Sequence, residues 1–414
     1  MIQCRIHRWL LEYDDARFLD RSSWKILIYV KEKTVKRSLQ DYLFLFANKV
    51  IRNDGGAFGR SVQEQIAFLN KLGDGGDLLD RSYKQYLCQR WLKKSFINLI
   101  TDVVSVPLII YYLIKSSEKT NDTCAKNVFI TFGVPDTIIP DVAKRRYGDV
   151  VTVFNPGGYI DKEDRLVICN LIKKYPLSPE FILKCLLKIR MYKWVIKQYS
   201  PHNIFVYGEY SYTSSFLTDY CHRYGIKHIC VMHGEKLYYI RDSYFRFDKF
   251  YIWDSFYFNL FSKLKASCDQ FEIAIPPALQ LKGDYAKTTD YTYYLGLEND
   301  DVIDNIINTL KSMMNKGAII RVRPHPRYTP VNTIEKIRNN GIMLEDFREI
   351  DIEKSILTTK NVIALYSTVL NQALYNGVGA IIDDVNDASK YEKLDLLMYR
   401  FIHDARVNRL SDFI

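Results

Sequence analysis

From residue 127 onward, short apolar blocks alternate with longer stretches of helical period. The blocks Val128-Phe129-Ile130-Thr131-Phe132, Val150-Val151-Thr152-Val153-Phe154, Ile204-Phe205-Val206-Tyr207, His228-Ile229-Cys230-Val231-Met232 and Phe250-Tyr251-Ile252-Trp253 read as strands. Near-continuous apolar runs of this length suit strands covered on both faces. Between them, residues 179–199 and 214–224 read as helices, the first with its basic residues on an exposed face. A linker is expected at Pro276-Pro277 and 282–290. A second series follows, with strands at 291–295, 318–323, 362–366 and 379–382. Helices are expected at 300–315, at 333–339 and after Ser367-Thr368 as far as Tyr375. Strands alternating with helices over short connections predict parallel, Rossmann-like sheets.

The chain before residue 120 is less regular. Residues 24–30 read as a strand, and 38–51, 61–72 and 81–115 as largely helical. The glycine clusters Asn53-Asp54-Gly55-Gly56 and Gly73-Asp74-Gly75-Gly76-Asp77 read as turns, because neither leads into the Lys-Ser/Thr of a phosphate loop. The most apolar stretch, 96–114, contains Asp102 and Pro107 and is short for a membrane span. It is expected as a core helix, with an element lying on a membrane as the alternative. The pattern thus predicts an α/β protein with an N-terminal domain, 1–280, whose first 120 residues are partly helical. A C-terminal domain follows at 281–390, then a helical tail, 391–414, crossing back to the first domain.

Composition adds a charge asymmetry. The 414 residues carry a net charge of +10, yet residues 281–414 hold 17 Lys/Arg against 19 Asp/Glu, which leaves +12 on residues 1–280. A basic N-terminal part suits an anionic partner such as a phospholipid surface, an acidic glycan or nucleic acid. Eight scattered cysteines show no metal-ligand spacing and read as thiols of a reducing compartment. No secretory signal pattern opens the chain, so a cytoplasmic location is expected, with peripheral contact at the inner membrane as an extension.

Four strand ends carry candidate chemistry, and ligands of doubly wound sheets bind at the C-terminal ends of their strands. In Arg321-Val322-Arg323-Pro324-His325-Pro326-Arg327, two prolines stiffen the backbone around His325. Arg321, Arg323 and Arg327 would supply guanidinium forks for a phosphate ester, and His325 a proton. Ser367-Thr368 opens a helix, where hydroxyls and unpaired N–H groups suit an anion while also capping the helix. Gly208 lets Glu209 project at a sheet edge as a candidate base. His233-Gly234 ends another strand, with His233 a base or phosphate donor and Glu235 placed to orient it. Asp383-Asp384 would meet a ribose or simply end its strand. No DxD pair stands at a strand end before the linker, so metal dependence is not expected.

These residues resemble the motifs of bacterial surface-polysaccharide glycosyltransferases with a GT-B fold. His325-Pro326 is similar to the His-Pro motif of the bacterial sialyltransferases, and Ser367-Thr368 to their Ser-Ser/Ser-Thr motif. The resemblance implies two Rossmann-like domains facing a central cleft. It makes His325 the acid or phosphate stabiliser, and Ser367 and Thr368 ligands of the donor phosphate. Their acidic motif has no clean copy here; Glu209, then Glu235, is the nearest candidate for the base. His233-Gly234 together with His325-Pro326 also looks like the capsule and teichoic-acid transferases that use CMP- or CDP-activated donors, in which the His-Gly histidine is the candidate base.

The expected function is therefore metal-independent, inverting transfer of sialic acid from CMP-sialic acid to a glycan or lipid-linked glycan, in O-antigen, capsule or lipooligosaccharide synthesis. No cofactor is expected beyond the CMP-activated donor, which is a substrate. A CDP-glycerol-type or Kdo transferase is the runner-up. A non-enzymatic basic protein binding membrane or nucleic acid would explain the +12 but not the His-Pro loop, so no nucleic-acid partner is expected.

Overall fold

The computed structural model describes residues 59–121, 123–296, 298–326 and 328–414. The strand expected at 24–30, the helix at 38–51 and the glycine cluster at 53–56 lie outside these residues, as does Arg327. The chain divides into two compact units, Met1–His233 with Tyr238–Ala274, and Gly234–Leu237 with Ile275–Ile414. The division falls just before Pro276-Pro277, close to the expected linker.

The first unit opens with helices α1 (Val62–Leu72), α2 (Leu78–Leu92) and α3 (Ser95–Ile114). Strand β1 (Asn127–Thr131), helix α4 (Asp141–Tyr147) and β2 (Val151–Phe154) follow. Two helices come next, α5 (Lys162–Lys174) and α6 (Pro179–Tyr199), then β3 (Asn203–Val206), α7 (Ser214–His222) and β4 (Lys227–Val231). The series closes with β5 (Lys249–Ile252), α8 (Phe256–Lys263) and β6 (Phe271–Ile273). All six strands are parallel, in the order β2-β1-β3-β4-β5-β6. The chain reverses direction across the sheet between β1 and β3, which makes that pair the unit's switch point.

Helix α6 corrects one expectation. Pro179 sits in its first turn, where a missing N–H costs nothing, and the helix ends at Ser200 in the left-handed conformation. Its basic residues Lys184, Lys188, Arg190 and Lys193 are buried, not exposed. Two of them act as struts. Arg190 donates to the carbonyls of Tyr112 (3.0 Å) and Lys115 (3.2 Å), covering the C-terminal end of α3. Lys193 pairs with Asp161, the N-cap of α5, at 2.6 Å. Part of the basic excess of the N-terminal part is therefore internal.

The second unit carries β7 (Thr289–Tyr294), α9 (Asp300–Asn315), β8 (Ile320–Arg323), α10 (Val331–Asn339), β9 (Met343–Leu344), α11 (Ile352–Leu357) and β10 (Thr359–Ala364). It continues with α12 (Val369–Tyr375), β11 (Gly379–Ile382), α13 (Ala388–Leu396), α14 (Arg400–His403) and β12 (Val407–Arg409). Its six parallel strands run β12-β11-β10-β7-β8-β9, with the switch point between β7 and β10. Helix α9 buries Ile303, Ile306, Ile307, Leu310 and Met313, a stripe of helical spacing packed with Tyr293, Val322, Ile363 and Ile381 of the strands. Each such side chain contributes roughly 1.5–3 kcal/mol by burial. The tail departs from its helical reading: after two short helices it forms β12, which pairs with β11 and belongs to the second unit. A Val407-Asn408-Arg409 strand is too short and polar to read as one.

The α/β class and the two Rossmann-like sheets are as the pattern of apolar blocks predicts.

Candidate functional site

In the second unit three loops leave the C-terminal ends of adjacent strands, in the spatial order β10, β7, β8. The loops after β8 and β10 are two strand spacings apart, roughly 10 Å. Between them the chain leaves β7 through Leu295-Gly296. This is the switch point, where a ligand is expected in a doubly wound sheet.

The β8 loop holds His325 in place by its own backbone. The His325 N–H donates to Thr329 Oγ1 at 2.8 Å, and the Thr329 N–H returns a bond to the His325 carbonyl at 3.2 Å. With Pro324 and Pro326 on either side, little torsional freedom is left. The Tyr328 ring stacks on the imidazole at 4.3 Å between centroids, and the Tyr328 N–H donates to Nδ1 at 3.3 Å. A ring that accepts at Nδ1 carries its proton on Nε2 when neutral. His325 is half-buried, so Nε2 is a positioned donor.

Arg321 and Arg323 do not form the expected guanidinium forks. Residues two apart on a strand face the same side, and here that side is the interior. Both are buried. Arg321 Nε lies 3.1 Å from Glu345 Oε2, and Arg323 Nη1 pairs with Glu345 Oε1 and donates to the Ile350 carbonyl at 2.9 Å. Arg321 also donates to Thr358 Oγ1 at 3.0 Å. Glu345, just beyond β9, has a fully buried side chain. The two arginines therefore neutralise an interior carboxylate, and with Pro326 exposed beside it, His325 is left as the described loop's candidate ligand.

On the other side of β7, Ser367 Oγ accepts the Val369 N–H at 3.2 Å, so it caps the first turn of α12, while Thr368 is exposed. The Ser367 N–H donates to Tyr399 Oη at 3.3 Å. Asp383 takes no outward position. It accepts from the Tyr293 hydroxyl and from the N–H groups of Val385 and Asn386, and so closes the turn after β11.

Two residues at the switch point escaped the sequence reading. The Gly296 N–H donates to both carboxylate oxygens of Glu298, at 2.8 and 2.9 Å. Burial raises the Glu298 carboxyl above its usual range, opposed by the Gly296 bond. A glycine directly after an apolar strand and before a helix was the available signal.

Glu235 belongs to the second unit, although the chain reaches it from β4. The Asn371 amide donates to it at 2.6 Å, and Arg400 donates to Asn371 Oδ1 at 2.8 Å. Asn371 and Arg400 are fully buried, so this carboxylate is oriented by an interior network. Gly234, beside it, is buried.

In the first unit, Glu209 and His233 follow the neighbouring strands β3 and β4. His233 is half-buried and meets the Tyr207 ring edge-on at 4.8 Å. Glu209 is wholly buried, not projecting at the sheet edge. Its carbonyl accepts from Gln85 at 2.9 Å, and the Tyr210 carbonyl accepts from Gln89 at 2.6 Å. Both glutamines come from α2, a stretch whose sequence reads as helical but shows no candidate chemistry. A cavity of about 40 Å³ opens at this unit's switch point, lined by Ile130, Phe132, Lys188, Tyr207, Gly208 and Ser214. Among the described residues, no cluster of three His, Cys, Asp or Glu side chains could hold a metal ion.

No protein-family model and no curated protein matches the chain. Solved structures similar to it include a UDP-N-acetylglucosamine 2-epimerase from Rickettsia bellii (12% identity, 62% of this chain and 78% of that one, TM-score 0.39). The wall teichoic acid polymerase TagF is similar at 11% identity over 79% of this chain and 85% of that one, TM-score 0.38. A glycotransferase of kitacinnamycin is similar at 7% identity over 70% and 87%, TM-score 0.42. At these levels the function is read from the chain's own residues.

Proposed function

We propose that the protein is a glycosyltransferase that takes its sugar from a CMP-activated donor, with sialic acid as the transferred group. The observation that carries this reading is the His325 imidazole, whose Nδ1 accepts the Tyr328 N–H so that Nε2 serves as the donor. Ser367 and Thr368 flank the same switch point from β10. A CMP leaving group presents one phosphate. As the bond from the anomeric carbon to the phosphate oxygen breaks, charge builds on that phosphate, and Nε2–H with the β10 hydroxyls would stabilise it. The acceptor hydroxyl attacks the anomeric carbon and loses its proton to a base, for which half-buried His233 is the candidate. Inversion of a β-linked donor gives an α-linked product.

With Arg321 and Arg323 committed to Glu345, the described loop offers a modest set of donors. A donor with a single phosphate as leaving group, CMP-sialic acid or CMP-Kdo, is proposed over a CDP-glycerol-type donor. The acceptor is proposed to be a glycan or lipid-linked glycan of a surface polymer, made at the cytoplasmic side of the membrane.

Thermal melting with CMP, CDP, UDP and GDP tests the nucleotide. CMP should give the largest upward shift. Turnover of CMP-sialic acid, CMP-Kdo and CDP-glycerol then separates the donors, and His325→Ala should slow transfer by roughly 10²–10⁴-fold. No shift with any cytidine nucleotide and no turnover of the panel would dismiss the reading.

A further inference from the structure

Helix α3 is long and apolar enough to cross a membrane by length and composition alone. It is not the core helix that its sequence predicts. Phe96, Leu99, Val103, Val106, Ile110 and Ile114 recur at intervals of three and four residues, and all are exposed, Leu99 at 65% and Ile114 at 73%. The stripe runs about 27 Å along one face at 1.5 Å per residue. The opposite face is held by the protein along its length. Ile97, Ser105, Ile109 and Tyr112 are buried. Thr101 Oγ1 donates to Glu180 of α6 at 3.1 Å near one end, and Arg190 of α6 holds the other. Asp102, the helix's one charged residue, pairs with Arg90 at 2.7 Å. Protein on one side along the whole length leaves no spanning orientation. It leaves a helix lying flat with an apolar face outward.

From this geometry we infer that α3 docks the first unit onto an anionic phospholipid bilayer, lying in its plane with the 96–114 stripe among the acyl chains. The side-chain chemistry favours lipid over a protein partner. The stripe is aliphatic, with one phenylalanine, no ionisable group and no hydrogen-bonding side chain. Protein interfaces concentrate their energy in Tyr, Trp and Arg, and Leu and Val are under-represented there. Lysines stand at both ends of the stripe, at the level of the headgroups. Lys94 precedes the helix and is exposed; exposed Lys119 follows it, beyond half-buried Lys115, which lies 4.0 Å from Glu118. Apolar insertion combined with cations near anionic headgroups is how interfacial helices bind. The inference is independent of the proposed transfer reaction.

Flotation of the full chain tests it, with vesicles of phosphatidylglycerol and phosphatidylethanolamine set against neutral phosphatidylcholine. The wild type should float with the anionic vesicles and several-fold less with the neutral ones. Val103→Glu combined with Val106→Glu should lower flotation at least tenfold while leaving the melting temperature and its shift by CMP unchanged. If the glutamates unfold the chain, Leu99→Ser with Ile110→Ser reads the same face. A wild type that stays out of the vesicle layer, or a variant that floats equally well, overturns the inference. A photo-crosslinking residue at position 103 identifies the occupant. Lipid adducts support the inference, and adducts to residues 1–58 or to a second copy of the chain overturn it.

Discussion

The side-chain amide of Gln85 donates to the backbone carbonyl of Glu209, 2.9 Å away and 124 residues further along the chain. The same Nε2 donates to the Arg241 carbonyl at 2.9 Å. One buried amide of helix α2 therefore ties down both the loop after β3 and the segment that follows β4. The helical N-terminal part thus holds the loop of buried Glu209 through side chain-to-backbone bonds that any substitution of Glu209's own side chain would leave intact.

Replacing Gln85 with leucine removes the amide that the Glu209 carbonyl accepts from, while the Arg241 carbonyl keeps a second donor, the Gln89 amide at 3.3 Å. An unmatched buried polar group costs about 1–3 kcal/mol, so chemical denaturation should show a loss of that size. Because the loop, not the donor side, is loosened, kcat should fall while the shift in melting temperature with CMP stays the same. A Gln85→Leu protein with wild-type stability would mean that these bonds contribute nothing.

Glu345 makes a separate prediction in the second unit. Its fully buried carboxylate pairs with both Arg321 and Arg323 and offsets one of their two charges. Glu345→Ala would leave two cations uncompensated in the interior, and breaking one buried pair costs about 3–5 kcal/mol. The expected outcome is a large fall in the denaturation midpoint, or a chain that does not accumulate folded. Were the arginines open phosphate ligands instead, the variant would fold normally and lose only nucleotide affinity.

Much of the fold was legible because strand-forming apolar blocks are local signals. The blocks at 128–132, 204–207, 228–232 and 379–382 each form a strand to within one residue, whereas the spatial order of the strands and the two switch points come from the pairing. Pairings between distant residues were not legible. Arg321 and Arg323 read as a basic loop until Glu345 is placed beneath them. Lys184 to Lys193 read as a solvated face until neighbouring helices cover them. A run such as 96–114 looks the same whether its outward side meets protein or not, since burial of one face is decided by α6, more than 60 residues later. The strand ends at His233, His325 and Ser367 were found because a polar residue after an apolar block is itself a local pattern; what each side chain touches is not.

Acid should destabilise the first unit through His228. It is fully buried, its Nε2 lies 2.9 Å from the Tyr192 hydroxyl and its Nδ1 2.8 Å from Thr218 Oγ1. Burial pushes its pKa down to about 3, against the pull of Asp248. Above the usual histidine pKa of about 6.5 both folded and unfolded chains hold it neutral, and its contribution is constant. Between about 6.5 and 3 the unfolded chain binds a proton that the folded chain refuses, so stability falls with pH by up to about 1.4 kcal/mol per unit. Denaturation midpoints measured across that window should show the slope, and His228→Gln should flatten it. A variant that keeps the full acid slope would move its origin to other groups.

Capping and ligand binding at Ser367-Thr368 can be separated. The Ser367 hydroxyl caps the first turn of α12 by accepting the Val369 N–H at 3.2 Å. Ser367 precedes the N-cap residue Thr368, so Ser367→Ala should cost about 0.5–1.5 kcal/mol of stability, the worth of one intramolecular hydrogen bond. Thr368 is exposed at the same turn. A surface substitution there is ordinarily worth less than about 0.5 kcal/mol, so Thr368→Val should leave the denaturation midpoint where it is. If both hydroxyls also hold the donor phosphate, each variant should weaken CMP binding about tenfold, the loss of roughly one hydrogen bond to a charged group. Calorimetric titration of CMP into the two proteins decides the matter. Unchanged affinity in Thr368→Val, with only a stability loss in Ser367→Ala, would reduce the pair to a helix cap and leave His325 as the sole described phosphate ligand.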